Sequence, residues 1–418
     1  MKAVISVPEL GGFLSVQQAT QMLMRPIAGV PLLMRTVLTA ARAGATNVLL
    51  VVPPALSDRL VQDIVEKISE RGVRIELLQV SDFDPRAYSS RIILKRHLKD
   101  EFLWLPWNWT TTKAFLSQLP LVNIDNVDWM KPACVTLQEI ARGQASSDHY
   151  AGRTGGVAVN SPESTVAAER LLIANSGKVS DGIHTSFNRR LCRPFVRLLS
   201  HTPITPNAVT FGGVVISILS AMAFAHGTYL WSVLGALLFY IAGLFDEMDG
   251  MLARITFAES PSGTWLEGMA DGLSYLLLFG GITIGLNKHY GRLAVWMGIA
   301  LLVGAMLALI ATSLQRHRAT APDKPNEYLG RMYLLLEKDS GNWISRVVRQ
   351  VQGFQRRGIL IHYIVIFTVI DALPLVFLLA TIGAHLTWIL TLYFNRRFFS
   401  HSSGSVLKPT VSKLKEAL

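Results

Sequence analysis

The chain has 418 residues, half of them hydrophobic and only 17% charged, with a mean hydropathy of +0.35 and a formal net charge of +11. Soluble domains carry about 25% charged residues at a similar apolar fraction, so the shortage of charge argues against an ordinary soluble protein, and the apolar content excludes a disordered one. Two cysteines exclude a disulfide scaffold; Cys134 and Cys192 match no metal spacing and read as core thiols of a reducing compartment.

Residues 1–180 mix charged and apolar residues evenly. Strand-like runs at Ala3–Val7 and Val48–Val52 are separated by a helical pattern over Leu32–Ala43, which predicts an α/β domain on a mixed, mostly parallel sheet. No basic segment followed by an apolar run opens the chain, so no signal peptide is expected. From about residue 208 long apolar blocks follow: Ala208–Ala225, Leu230–Phe245, Trp265–Leu286, Leu293–Leu314, and Gly358–Phe394, which is long enough for two. A span takes about 20 apolar residues, so an all-α bundle of six transmembrane helices is expected. The last two should turn near Pro374, with Asp371 closing the fifth early.

The basic residues follow this division. Arg189, Arg190, Arg193 and Arg197 precede the first span; Arg316, Arg318, Lys324, Arg331, Lys338, Arg346, Arg349, Arg356 and Arg357 lie between the fourth and fifth. Arg396, Arg397, Lys408, Lys413 and Lys415 close the chain, whereas Lys288 and Arg292 stand alone on the other side. The positive-inside rule then places both termini in the cytoplasm, with the bundle in the cytoplasmic (inner) membrane. Charge that tracks topology argues against nucleic acid as partner. Between residues 327 and 355, Tyr328, Met332, Leu335, Leu336, Trp343, Ile344, Val347, Val348 and Val351 recur at helical spacing. They predict one or two amphipathic helices, either on the cytoplasmic face of the bilayer or packed on the soluble domain.

Acidic residues are rarest in the apolar half, and there they form a pattern. Asp246, Asp249, Gly250 and Ala253 fall on one helical stripe, and Gly263, Glu267 and Asp271 on a second. The short connection makes the two helices antiparallel neighbours, which brings four carboxylates to the cytoplasmic end of the bundle. A carboxylate at mid-span costs about 2.5–3.5 kcal/mol on insertion scales, and its default reading is functional. Arg254 alone cannot balance four. Hard oxygen donors without nearby His or Cys point to Mg²⁺, Mn²⁺ or Ca²⁺, as one ion or a pair. Gly250, Ala253 and Gly263 leave room beside them.

The order D-x-x-D-G-x-x-A-R-x8-G-x3-D-x3-D resembles the signature of the CDP-alcohol phosphotransferases. It reads here as Asp246, Asp249, Gly250, Ala253, Arg254, Gly263, Glu267 and Asp271, every spacing intact and only Glu267 departing, where the family has Asp. Thr205-Pro206-Asn207-Ala208-Val209-Thr210 is similar to the family's segment leading into the first span. The resemblance implies transfer of a phosphate-linked group from a CDP-alcohol to the hydroxyl of a second alcohol, with release of CMP. It implies two ions, Mg²⁺ or Mn²⁺, held by Asp246, Asp249, Glu267 and Asp271, with Asp271 also as general base. Gly250, Ala253, Arg254, Gly263, Asn207 and Thr210 would bind the cytidine nucleotide. A homodimer is a further family expectation. The extra methylene of Glu267 moves its carboxylate by about a bond length, and misplacement of order 1 Å can cost about a hundredfold in rate.

Arg25–Arg35 and Val159-Asn160-Ser161-Pro162-Glu163 are similar to the start and end of sugar-nucleotide transferases of the nucleotidyltransferase fold. The catalytic parts are absent. Pro8-Glu9-Leu10-Gly11-Gly12 lacks a basic residue, no Asp stands between 103 and 109, and Ala158 and Asn160 take the late acidic positions. The expected division is a degenerate cytidylyltransferase-like domain at 1–175, a basic segment at 176–204, the six-span domain at 205–400 with its amphipathic part at 317–357, and a tail at 401–418. This fusion, with a joint at Gly177–Gly182 and Asn188 to Asn207, resembles the bifunctional inositol-phosphate cytidylyltransferase/di-myo-inositol-phosphate phosphate synthases. In that branch acceptors are phosphorylated, so Arg189, Arg190, Arg193 and Arg197 are candidates for an acceptor-phosphate site, against the alternative of marking topology and anchoring lipid headgroups. The leading expectation is a transferase of phospholipid synthesis using CDP-diacylglycerol and a polar alcohol among membrane lipids. CDP-inositol with inositol phosphate is the alternative, and an inactive scaffold or a divalent-cation transporter are the rivals from other classes.

Overall fold

The computed structural model describes residues 1–7, 16–54, 56, 58–98, 101–137, 155–177, 183–319, 328–351 and 357–399. The chain forms two compact units: Met1–Val179 with Arg190–Pro206 and Met248–Ser260, and Ser180–Arg189 with Asn207–Glu247 and Pro261–Leu418. Pro8–Gly12, residues 178–182, Lys324, Arg356 and the lysines at 408, 413 and 415 lie outside the described residues.

The first unit runs β1 (Lys2–Ser6), α1 (Val16–Leu23), β2 (Pro26–Ile27), β3 (Val30–Pro31), α2 (Leu32–Arg42), β4 (Asn47–Val52), α3 (Asp58–Ser69), β5 (Arg74–Gln79), α4 (Tyr88–His97), β6 (Glu101–Pro106), β7 (Trp109–Thr111), α5 (Lys113–Leu116), β8 (Leu121–Asn123), β9 (Ala133–Thr136), β10 (Gly156–Ala158) and α6 (Pro162–Ala174). Its main sheet has the order β5-β4-β1-β6-β9-β8. All neighbours are parallel except β9, which runs antiparallel to β6. The central strands are apolar throughout because both faces are covered. Alternate residues Ala3, Ile5, Val48, Leu50, Leu103 and Leu105 meet Leu33, Val37 and Ala40 of α2. Their neighbours Val4, Leu49, Val51, Phe102 and Trp104 meet Leu94 of α4 and Trp129 on the other side. Trp104 is core, its indole N–H donating to the Trp129 carbonyl. Both cysteines are free thiols, Cys192 buried and Cys134 half-buried.

The remaining elements are α7 (Ile183–Ser200), α8 (Pro206–Ala225), α9 (Tyr229–Thr256), α10 (Pro261–Tyr290), α11 (Arg292–Ala319), α12 (Tyr328–Lys338), α13 (Trp343–Val351), α14 (Arg357–Val369) and α15 (Leu373–Phe399). Helices α7 and α9 each start in the second unit and end in the first. Among the described residues five helices, α8, α9, α10, α11 and α15, are long and apolar enough to cross a membrane. The expected fifth of six is the shorter α14, whose 13 residues extend about 20 Å against a hydrocarbon core of about 30 Å. It stops where Asp371 takes a left-handed φ of 58°, and Pro374 follows in the first turn of α15.

Small residues let the spans approach. A Cβ on Gly281 of α10 would stand 2.3 Å from the Ala221 carbonyl of α8, and one on Gly285 2.2 Å from that of Phe224. Ser217 of α8 and Ser274 of α10 hydrogen-bond at 3.0 Å across the same contact. The amphipathic stretch forms α12 and α13. Met332 and Leu336 pack on Phe394 of α15, whereas Trp343 and Val347 stay exposed. Asp339 fixes the corner: Arg397 donates to both its oxygens at 2.8 Å and Ser345 to one at 2.7 Å.

Gly281→Leu has only backbone to displace, so it is expected to cost roughly 1–3 kcal/mol, read as a lower thermal midpoint of the purified protein. The Asp339 carboxyl is held down at about 2 by the Arg397 hydrogen bond, with Ser345 and Asn342 adding to it and burial opposing. A depressed carboxyl stabilises above its unfolded value of 3.8 and loses that contribution as pH falls from there towards 2. Amide exchange over 328–351 should therefore rise, beyond its intrinsic pH dependence, on acidification through that window. Asp339→Asn should show the same loosening at neutral pH.

Candidate active site

Helix α9 is unbroken from Tyr229 to Thr256, so its apolar first part and its acidic end share one rigid element. At about 42 Å it exceeds the ~30 Å apolar core of a bilayer, which leaves the acidic end near an interface rather than at mid-span. One helix thus carries Asp246, Asp249, Gly250, Ala253 and Arg254, while α10 carries Gly263, Glu267 and Asp271 in its first three turns.

A cavity of about 60 Å³ joins part of the two stripes within the second unit. Asp246 and Glu247 of α9 and Asp271, Ser274 and Tyr275 of α10 line it, with Asn188 of α7 and Ser217 of α8. Asp249 is buried at 4% exposure, and Glu267 is half-buried; neither lines this cavity. Sequence reasoning missed Glu247, Asn188, Ser217, Ser274 and Tyr275. Ser274 and Tyr275 follow Asp271 by three and four residues, the spacing that shares its helical face, and Ser217 is polar within an apolar span. Asn188 carried no such signal. It is fully buried, accepts from the Tyr240 hydroxyl at 3.0 Å, and its side-chain amide nitrogen has no partner among the described residues.

The donor set is all oxygen and largely anionic, which suits a hard divalent cation. Among the described residues no group of three or more His, Cys, Asp or Glu side chains is placed to hold a metal ion. The chemistry of the donors fits, with Asp246 and Asp271 sharing a cavity.

The other expected site residues are spread more widely. Asn207 and Thr210 lie in the first turns of α8, Asn207 exposed and Thr210 half-buried. A Cβ on Gly250 would lie 3.2 Å from the Arg254 guanidinium, so this glycine clears space for Arg254, whose Nε donates to the Ser176 carbonyl. Of the four arginines, Arg189 pairs with Glu247 at 2.8 Å and Arg197 with Glu169 at 3.0 Å, while Arg190 and Arg193 are exposed. In the first unit the Asn108 side-chain amide donates to the side-chain oxygen of Asn160.

Residues 203–393 match the protein-family model described as CDP-alcohol phosphatidyltransferase. That stretch of the chain is similar to the CDP-alcohol phosphatidyltransferases. The chain is 26% identical over 261 residues to the bifunctional IPC transferase and DIPP synthase of Thermococcus kodakarensis, a match covering 60% of this chain and 57% of that one. The protein of the same name from Rubrobacter xylanophilus is 28% identical, over 41% and 38% of the two chains. The archaetidylinositol phosphate synthase of Pyrococcus horikoshii is 32% identical over 21% and 46%. The chain spans about half the length of the curated relatives it matches. Five helices of spanning length among the described residues, together with this family match, support an integral membrane protein.

Glu247→Ala would strip a carboxylate from Arg189, whose side chain is only 11% exposed. The expected loss is of order 3 kcal/mol of stability, read as a drop in thermal midpoint, and Glu247→Gln should recover part of it through the remaining hydrogen bond.

Proposed function

We propose that the chain transfers a phosphate-linked group from a membrane-embedded CDP-alcohol, CDP-diacylglycerol in the first instance, to a hydroxyl of a polar alcohol, releasing CMP on the cytoplasmic side. The observation that carries this is the cavity shared by Asp246 and Asp271, at the acidic ends of two helices in the stretch that matches the CDP-alcohol phosphatidyltransferase model.

In this reading the acceptor hydroxyl sits at the Asp271 carboxylate, which takes its proton. The acceptor oxygen then bonds to the donor's alcohol-linked phosphorus, and the bond from that phosphorus to CMP breaks, the electron pair leaving with CMP. Ser217, Ser274 and the free amide hydrogens of Asn188 supply neutral donors around the hydroxyl. Asp246, Asp249 and Glu267 would hold Mg²⁺ or Mn²⁺, which when bound supplies charge neutralisation for the pyrophosphate and the leaving CMP. Gly250, Ala253, Arg254, Gly263, Asn207 and Thr210 would contact the nucleotide, and the exposed Arg190 and Arg193 are free to meet a phosphorylated acceptor or headgroup.

A lipid donor is favoured because no Asp stands between 103 and 109 and Ala158 and Asn160 take the late positions, where nucleotide synthesis would need carboxylates. The name of the Thermococcus relative supports a second reading, CDP-inositol as donor and inositol phosphate as acceptor.

Purified protein with Mg²⁺ or Mn²⁺ should release CMP from CDP-diacylglycerol when given inositol, inositol phosphate or glycerol phosphate. Release from CDP-inositol alone would select the second reading, and no release from any pair would leave a scaffold. Asp271→Ala should lower turnover about 10²–10⁴-fold, the usual worth of a general base. Turnover that survives Asp271→Ala or Asp249→Ala would overturn the assignment. Glu267→Asp is expected to lower the rate by up to about a hundredfold, because a site built around the longer side chain loses its alignment.

A further inference from the structure

The sheet domain buries charges that the proposed transfer does not use. Arg35 of α2 is the largest: it is 2% exposed, and burial pushes its pKa down from 12.5 to about 9, with Arg42 adding to the fall and Glu169 opposing it. It remains a cation at neutral pH. A buried cation persists only where hydrogen bonds replace its water.

Those bonds end on the signature helix. Arg35 Nη2 donates to the Ile255 carbonyl at 2.7 Å, besides Ile27 and Ala28 carbonyls of its own domain. Arg42 Nη1 donates to the Arg254 carbonyl at 2.9 Å, and its other nitrogen pairs with the Glu259 carboxylate. Arg71 reaches the Phe257 carbonyl at 3.4 Å. The last carbonyls of a helix have no partner within it and carry the negative end of its dipole. Here three arginines from the sheet domain serve that end of α9.

Phe257 locks the arrangement. Its φ of 58° is left-handed, a conformation costly for a bulky residue, and it lets the Ala258 N–H close back on the Ala253 carbonyl at 2.9 Å. The ring packs against the main core of the sheet domain, with the Arg42 and Arg35 guanidinium carbons 4.2 and 5.2 Å from its centre. Four residues, Phe257–Ser260, join α9 to α10, so this clasp sits on the link between the two halves of the signature. Arg254, a nucleotide-contacting residue of the proposed site, lies inside it.

We propose that the sheet domain acts as a clasp on the signature helix, with Arg35 and Arg42 as positioning residues that hold Arg254 and the 257–260 link in the geometry needed for transfer. This rests on the transfer reaction proposed above for its kinetic consequence, while the clasp itself has a readout of its own.

The test uses the full chain in lipid nanodiscs, as wild type, Arg42→Ala, Arg42→Lys and Arg35→Met. Amide exchange over residues 253–262 and steady-state CMP release are measured on the same preparations. Arg42→Ala should raise exchange about tenfold or more and lower kcat by roughly tenfold, with KM for the CDP donor changed less than about threefold, since positioning acts on the transition state. Arg42→Lys should fall between, because it keeps charge but not the fork that serves a carbonyl and a carboxylate together. Arg35→Met should exceed both; should it fail to fold, Arg42→Ala still decides. Unchanged exchange in Arg42→Ala, or raised exchange with wild-type kcat, overturns the clasp. If wild-type protein releases no CMP from any pair, the proposed reaction falls, and the exchange arm by itself upholds or overturns the clasp.

Discussion

Carboxylates at the ends of apolar helices are the constraint around which the rest of this protein is arranged. Asp246, Glu247, Asp249 and Asp271 stand on two long apolar helices, where a buried anion costs free energy unless a cation or a donor meets it. Glu247 is met by Arg189, and Asp246 and Asp271 open onto a polar cavity with Asn188, Ser217 and Ser274. A bundle built for stability alone would have no use for that wall. Farther along α10, Gly281 and Gly285 let its backbone approach that of α8, since a Cβ at either would clash with an α8 carbonyl.

The signature helix answers to two environments. Its first part packs among the spans, and its last turns belong to the sheet domain, where arginines satisfy its terminal carbonyls. The sheet domain thus has a structural part in the molecule, since its side chains meet carbonyls at a helix end. Glu169 of the sheet domain, in turn, pairs with Arg197 near the end of α7 and lies 3.0 Å from the His201 ring.

Much of the fold was legible because its signals are local. A continuous apolar β-branched run such as Asn47–Val52 fits a strand covered on both faces, and apolar blocks of about 20 residues have the length and composition of spans. The six-span expectation met α14, whose 13 residues stop at a left-handed Asp371. Composition over Gly358–Phe394 could not show that a turn at one residue divides the block so unevenly.

The sequence by itself determined the chemistry: which residues are acidic, their stripe spacing on two helices, and the apolar lengths that carry them. Helical periodicity is a property of the backbone and needs no partner to be read. The tertiary structure alone decided which of those residues share a cavity, that Asn188 joins them from 58 residues before Asp246, and that Arg189 and Arg197 are already paired with glutamates. It alone showed Arg35 and Arg42 gripping the end of α9, more than 200 residues away in the chain. Such contacts depend on where long side chains end after packing, and no local pattern in the chain encodes that.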